Sequence, residues 1–474
     1  MFVEKKVGWV RDDRHSLILA GIVWVLILLL IVPEGFNYAI LHGRAPAEGG
    51  PLSRALWVGL LLAAGAVIVW RASLAWQLLR SVNPFLLLFA ALAVASIIWS
   101  IAPEVTARRD IRLFTIVAVC FAFSLAGWHA RRFQSVVRPA LTLVLLGSIA
   151  FGLAAPALAI HHELAPELVG AWRGLANHKN TFGAIACTTL LLWLHGWLTG
   201  EVRASRAFLG CALAGLCLWL SRSSTAAIST LAASAFLLFL LWSPRGLRPY
   251  LRYAVGVTAA VLVIYALAIL RLIPGLELLL APVTSLTGMD MTFTGRSEIW
   301  AIIVERIHLN PLLGVGYGAY WIGPVAQSQS YEFIWRMGGF YPGSAHNGYL
   351  DVANDLGWTG LVCLLGYIVV HLRQSLRVLS ADNAQGALFL ALFIQQAMVN
   401  LSESHWFSVL SLQFVLMTLA TTALARLSLE LSLRTRFGEP LRQMRSTVPA
   451  PLAATAQSTG LPEPIPVFSS GGVS

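Results

Sequence analysis

The sequence predicts an all-α integral membrane protein of about twelve transmembrane helices with one large external loop, and three observations carry that prediction. Of 474 residues, 57% are hydrophobic and 12% charged, against roughly 25% charged in an ordinary soluble domain, and the mean hydropathy is +0.73. The apolar residues gather in windows long enough to cross about 30 Å of hydrocarbon. The basic residues fall between those windows with a bias to one side, the pattern expected of a membrane topology signal.

In order, the windows lie at 16–34, 55–71, 83–101, 111–128, 138–156, 181–198, 206–221, 225–242, 250–271, 348–371, 384–401 and 405–425. The first follows "MFVEKKVGWVRDDRH" without a small-residue cleavage site, so it reads as a retained helix and not a removable signal peptide. With both termini cytoplasmic, the cytoplasmic segments hold 21 of the 33 Lys and Arg residues, although the longest loop lies on the opposite side. The net charge of +11 does not point to nucleic acid, because the cations are dealt out in small groups instead of along one face. All five cysteines lie in apolar stretches without CxxC spacing and read as small buried hydrophobes.

Two segments stand apart from the spans. The loop from about 272 to 347 is too long for a plain connection, and within it Ile299, Ile302, Ile303 and Ile307 recur at helical spacing until Asn310-Pro311 stops the helix. It reads as a small ordered external cap on a membrane domain spanning 1–445. From 446 to 474 the chain is rich in Pro, Ala, Ser and Gly with almost no charge, which predicts a disordered cytoplasmic tail.

Polar groups near a bilayer are costly and need a reason. Arg173 and Lys179 in "WRGLANHKN", Arg222 in "SRSST" and Arg296 in "TGRSE" all sit at loop or helix ends on the external side. One such arginine only snorkels to lipid phosphates as a rule; four on one face suit an anion. Ser221 to Thr225 fits a tight turn as well as a functional motif. His346 and Asn347 stand at the mouth of the window at 348, with Asp351 and Asp355 favouring a helix N-terminus there. Asn180 and Asn347 suit helix capping as well as positioning, and Glu403 in "NLSESHW" is placed to pair with one of the arginines.

Several chemistries are excluded. There is no GxxxxGK[ST] phosphate loop and no HExxH. "HHE" at 161–163 lacks a second spaced ligand set, so no metal is expected. "LGVGYGAYW" (313–321) follows no strand and lies outside the cytoplasm; its glycines read as a means of close approach to membrane helices. What remains is an external site of guanidinium groups with one histidine. Arginine forks suit a diphosphate, and a histidine suits removing a proton from a hydroxyl.

"RGLANHKNTFG", "SRSSTA", "TGRSEIW" with "NPLLGVGYG", and "SAHNGYLDVANDLGWTGL", in this order and on one membrane face, resemble the O-antigen ligase and O-antigen polymerase superfamily. The resemblance runs from "IIWSIAPEVTARRDIR" to "NLSES". It implies a fold related to the C class of glycosyltransferases in the bacterial inner membrane, and a periplasmic transfer of undecaprenyl-diphosphate-linked glycan to an acceptor glycan, without metal or other cofactor. It further implies that Arg173 and Arg296 hold the diphosphate and His346 deprotonates the acceptor. Lys179, Arg222, Asn180 and Asn347 follow as substrate-binding groups, with Trp300, Trp321 and Trp335 for sugar stacking. A polymerase, with a chain-length regulator among its partners, is the first expectation; a ligase onto lipid A-core is the alternative. A flippase or transporter for the same lipid-linked sugars ranks below both, because no internal repeat is visible.

Overall fold

The computed structural model describes residues 13–31, 51–162, 168–244, 250–269 and 296–436. The expected tail at 446–474 and the first part of the loop, 272–295, lie outside the described residues. Among the described residues all regular structure is helical, with one isolated antiparallel bridge between Ile160 and Trp172.

Each of the twelve apolar windows falls on a helix. They are α1 (Asp13–Leu29), α2 (Pro51–Trp70), α3 (Ala72–Leu79), α4 (Pro84–Ala95), α5 (Pro103–Phe123), α6 (Arg132–Ala154), α7 (Lys179–Leu198), α8 (Ala204–Ser221), α9 (Ser224–Trp242), α10 (Leu251–Ile269), α11 (Arg296–Leu309), α12 (Gly348–Ala381), α13 (Asn383–Val399) and α14 (Leu412–Arg436). Of these, α3 and α11 are not among the expected spans. Among the described residues, seven helices are long and apolar enough to cross a membrane by themselves: α2, α6, α7, α8, α9, α12 and α14. An eighth crossing requires α3 and α4 together, and they meet at 98°. The window expected at 83–101 is therefore one arm of a bent helix pair. Asn83 makes the bend: its side chain accepts from the Phe85 N–H, Pro84 opens α4 with its φ preset, and the Asn83 amide donates to the Tyr367 carbonyl on α12 at 2.8 Å.

The core gathers around α14, whose most apolar stretch is wholly buried between α5 and α12. One half of the molecule is completed by α7 packed on α8 and α9, and by α13 packed on α9 and α12. The other half is α2 and α1 against α5, and α4 against α12. Outward faces are studded with exposed apolar side chains such as Phe208, Leu209, Trp219 and Leu231, as lipid-facing helices require.

The cap is built on α11. Ile299, Trp300, Ile302, Ile303 and Ile307 bury one stripe of that helix against Val315, Tyr320 and Phe333. Arg306 grips Glu332 with two parallel bonds of 2.7 and 2.6 Å, and Tyr320 donates to the same carboxylate at 2.8 Å. The glycine run then fastens the cap to α12. At Gly357 the backbone leaves the helix, with φ 63° and ψ −159°, which frees carbonyls one turn earlier. Those of Asn354 and Asp355 accept from Val315 and Gly316 at 3.1 and 2.9 Å, and the Asp355 carboxylate accepts from the Gly318 N–H at 2.8 Å. A side chain at Gly314 would meet the Asn354 carbonyl oxygen at 2.5 Å, so the expected close approach is realised.

Candidate functional site

Four segments bring polar side chains to one end of the bundle. The first is the start of α7. His178 caps that helix by accepting from the Asn180 N–H at 3.3 Å, which puts Asn180 in the first turn with its amide pointing inward. The second is the start of α11, which carries Arg296. The third is the approach to α12. Asp351 accepts there from the Ala345 N–H and from Trp321 Nε1 at 2.8 Å, and Ser344 accepts from the His346 N–H. The fourth is the turn after α13. Asn400 Oδ1 accepts from the N–H groups of His405 and Trp406, and the Asn400 carbonyl accepts from Gly348, so the turn and the start of α12 are joined.

Glu403 on that turn is the centre. Its Oε1 accepts from Asn180 Nδ2 at 2.6 Å and from an Arg296 terminal nitrogen at 2.9 Å. Its Oε2 lies 3.6 Å from His346 Nδ1, an electrostatic contact longer than a hydrogen bond. The Glu403 side chain is 8% exposed, against 17% for Arg296 and 21% for His346, so the carboxylate is at the bottom and the two partners rise toward the surface. Burial pushes the Glu403 carboxyl up, but His346, Arg296 and His178 together outweigh it and hold the group well below the ordinary carboxylate range. An ionised, buried carboxylate with three polar partners satisfies what its desolvation demands.

Around this centre lie three more histidines. The His178 ring is 6.3 Å from that of His346 and 5.2 Å from that of His161. Burial pushes His178 down to about 4, and burial does the same to His405, whose Nδ1 meets Ser411 Oγ at 2.8 Å. Both are neutral at ordinary pH. His161 accepts from the Lys179 N–H through Nε2 at 3.2 Å. Among the described residues no group of three His, Cys, Asp or Glu side chains is placed to hold a metal ion. Glu163 of the "HHE" run lies outside the described residues.

The expected residues thus divide. His346, Arg296 and Asn180 meet on Glu403. Asn347 is fully buried: its Oδ1 accepts from Tyr349 and Leu350 as the cap of α12, and its Nδ2 donates to the Leu401 carbonyl. Arg173 and Arg222 belong to a neighbouring patch, where the chain between α6 and α7 meets the turn between α8 and α9. Arg173 Nε donates to the Leu158 carbonyl and Arg222 donates to the Val169 carbonyl, both at 2.8 Å, while the Trp172 N–H bonds the carbonyl of Leu220. Lys179 follows His178 at the join of the two regions. Trp300 is 6% exposed, with its Nε1 bonded to the Ala345 carbonyl; it is a core residue of the cap and not a sugar platform. Trp335, at 77%, is open to solvent.

Sequence reasoning assigned no site role to His161 and His178. The signal that joins them is positional: "HHE" and "NHKN" flank the arginine of "WRGLAN".

Two comparisons with known proteins bear on this arrangement. Residues 207–365 match the family model described as O-antigen ligase. The chain is 28% identical over 304 residues to the exopolysaccharide production protein ExoQ of Rhizobium meliloti, a match that covers 62% of this chain and 66% of that relative, just under two thirds of its length.

Proposed function

We propose, from the premise that this chain belongs to the O-antigen ligase/polymerase-like superfamily, that it is a membrane glycosyltransferase joining lipid-linked oligosaccharide repeat units into an exopolysaccharide. The donor is an undecaprenyl-diphosphate-linked glycan and the acceptor a sugar hydroxyl. The full twelve crossings, cytoplasmic termini, a periplasmic cap at 272–347 on a domain of 1–445, and the inner membrane as location belong to the same reading. So do independence of metal and a chain-length regulator as partner.

The single observation that carries it is the meeting of Arg296 and His346 on one buried carboxylate. An arginine beside a histidine provides two of the functions that such a transfer needs. The acceptor oxygen attacks the anomeric carbon, and its proton passes to His346 Nε2. The bond from that carbon to the diphosphate oxygen breaks, and its electron pair leaves with the diphosphate. Arg296 balances the charge that develops there, as preorganised cations do for leaving groups. Arg173, Lys179 and Arg222, in the adjoining patch, are the remaining cations proposed to hold the diphosphate, and Asn180 fixes the carboxylate. In-line attack inverts the anomeric centre.

The test is polysaccharide size on a gel, in a deletion strain carrying wild type, His346→Ala or Arg296→Ala at equal membrane abundance. The expected result is single repeat units in both variants and long chains in wild type, with activity down at least about 100-fold. Normal polymer in both variants would remove His346 and Arg296 from the chemistry. Long lipid-linked chains that fail to reach lipid A would make the protein a ligase, the reading that the O-antigen ligase match also favours.

A further inference from the structure

We infer that Glu403 is a positioning residue that couples the two halves of the site, holding the donor's arginine with one carboxylate oxygen and the acceptor's base with the other. The inference rests on the reading of His346 as base and Arg296 as donor ligand. It goes beyond that reading by assigning the group on which both depend.

The geometry is that of a bridge between three elements. Oε1 receives Asn180 of α7 and Arg296 of α11, and Oε2 faces Nδ1 of His346 at the approach to α12. The bridge is rigid. The Glu403 N–H bonds the Val399 carbonyl, the Asn347 N–H bonds Ser404 Oγ, and Asn400 ties its own turn to Gly348. A purely structural clamp would be complete with Arg296 and Asn180. The second oxygen is turned toward a ring nitrogen that is otherwise buried. A carboxylate on Nδ1 selects the tautomer with the proton on Nδ1 and the lone pair on Nε2. It also stabilises the imidazolium that forms when Nε2 takes the acceptor's proton, the role of the third member in hydrolase triads. The 3.6 Å contact is of the kind that tightens when substrates fill a site.

Other groups face His346 as well. Asp351, on the first turn of α12, is engaged with Trp321 Nε1 and the Ala345 N–H. His178 from α7 and His405 from the turn after α13 sit beside the same carboxylate, with Lys179 next along α7. Among the described residues, Glu403 is the carboxylate seen both to accept from Arg296 and to face His346.

The test is the pH dependence of polymerisation in proteoliposomes, using lipid-linked oligosaccharide extracted from a strain deleted for this gene. A base must be neutral to act, so the rate falls on the acid side. Glu403→Gln removes the charge that favours imidazolium, so the acid limb moves down by about one pH unit or more while the plateau drops about 10- to 100-fold. Glu403→Asp keeps the charge and leaves the limb within a few tenths of its wild-type position. Should Glu403→Gln fail to accumulate, the same comparison is made with Asn180→Ala, which loosens the carboxylate without discharging it and lowers the plateau with the limb in place. A Glu403→Gln enzyme with an unmoved limb overturns the coupling role while His346→Ala remains inactive. Activity in His346→Ala overturns the underlying reading instead.

Discussion

His346 adopts φ 48°, a left-handed backbone conformation, and so does Arg222. Outside glycine such conformations cost about 1–3 kcal/mol each and persist only where the surroundings enforce them. At His346 it is enforced by the Ser344 hydroxyl on the His346 N–H and by Asn347, which locks the next residue into the start of α12. Asn347 therefore has a testable duty separate from substrate. Asn347→Ala is expected to lower stability by about 1–2 kcal/mol through loss of the cap, measured as thermal unfolding in detergent, and Asn347→Asp to recover only part of it, because a carboxylate keeps the cap but cannot donate to the buried Leu401 carbonyl. A loss of activity in Asn347→Asp at wild-type stability would instead put its amide on the substrate. At this scale, residues whose chemistry is unusual for a helix mouth were legible in the sequence: His346 and Arg296 have no propensity reason to be where they are. Glu403 was legible as an arginine's partner but not as the meeting point, because residues 180, 296, 346 and 403 approach only through the fold. Trp300 misled, since an indole on an amphipathic external helix looks the same in sequence whether it faces sugar or core.

At the scale of elements, the decisive feature is the break in α12. Gly357 combines φ 63° with ψ −159°, a region essentially confined to glycine, and a Cβ there would lie 2.4 Å from the Leu312 carbonyl. Gly357→Ala is expected to cost about 2–4 kcal/mol, combining backbone strain with the clash, and to lower Tm in detergent. Gly215→Ala, on α8 with open space around it, serves as the control and should leave Tm unchanged or slightly raised. The glycine run at 314–318 was legible as close packing, because three glycines in five residues have few other uses. The break it packs into was not: Gly357 lies in an apolar stretch where hydrophobic periodicity continues through the kink. The bend between α3 and α4 was hidden in the same way, since "LLRSVNP" reads as a plain connection until Asn83 is seen capping one helix and bonding another.

For the molecule as a whole, the distribution of basic residues predicts an orientation that fusions can check. Alkaline phosphatase, active only outside the cytoplasm, is expected to be active when joined at residue 326 and inactive when joined at 246. The reverse pattern would turn the molecule over and put the Glu403 site in the cytoplasm. Helical class and multiple spans followed directly from composition, because lipid leaves the backbone few alternatives. The convergence of α7, α11, α12 and the turn after α13 did not follow, since it depends on packing between segments up to 223 residues apart.

The fastening of the cap onto α12 has a mechanical side. Two carbonyls released by the break are taken up by the glycine run, and the Trp358 and Thr359 N–H groups just beyond it bond the carbonyls of Pro311 and Leu312, so the chain at 311–316 splints both sides of the kink. The start of α12, behind His346, thereby shares its footing with the cap that carries Arg296, and the two partners of Glu403 are held by one framework.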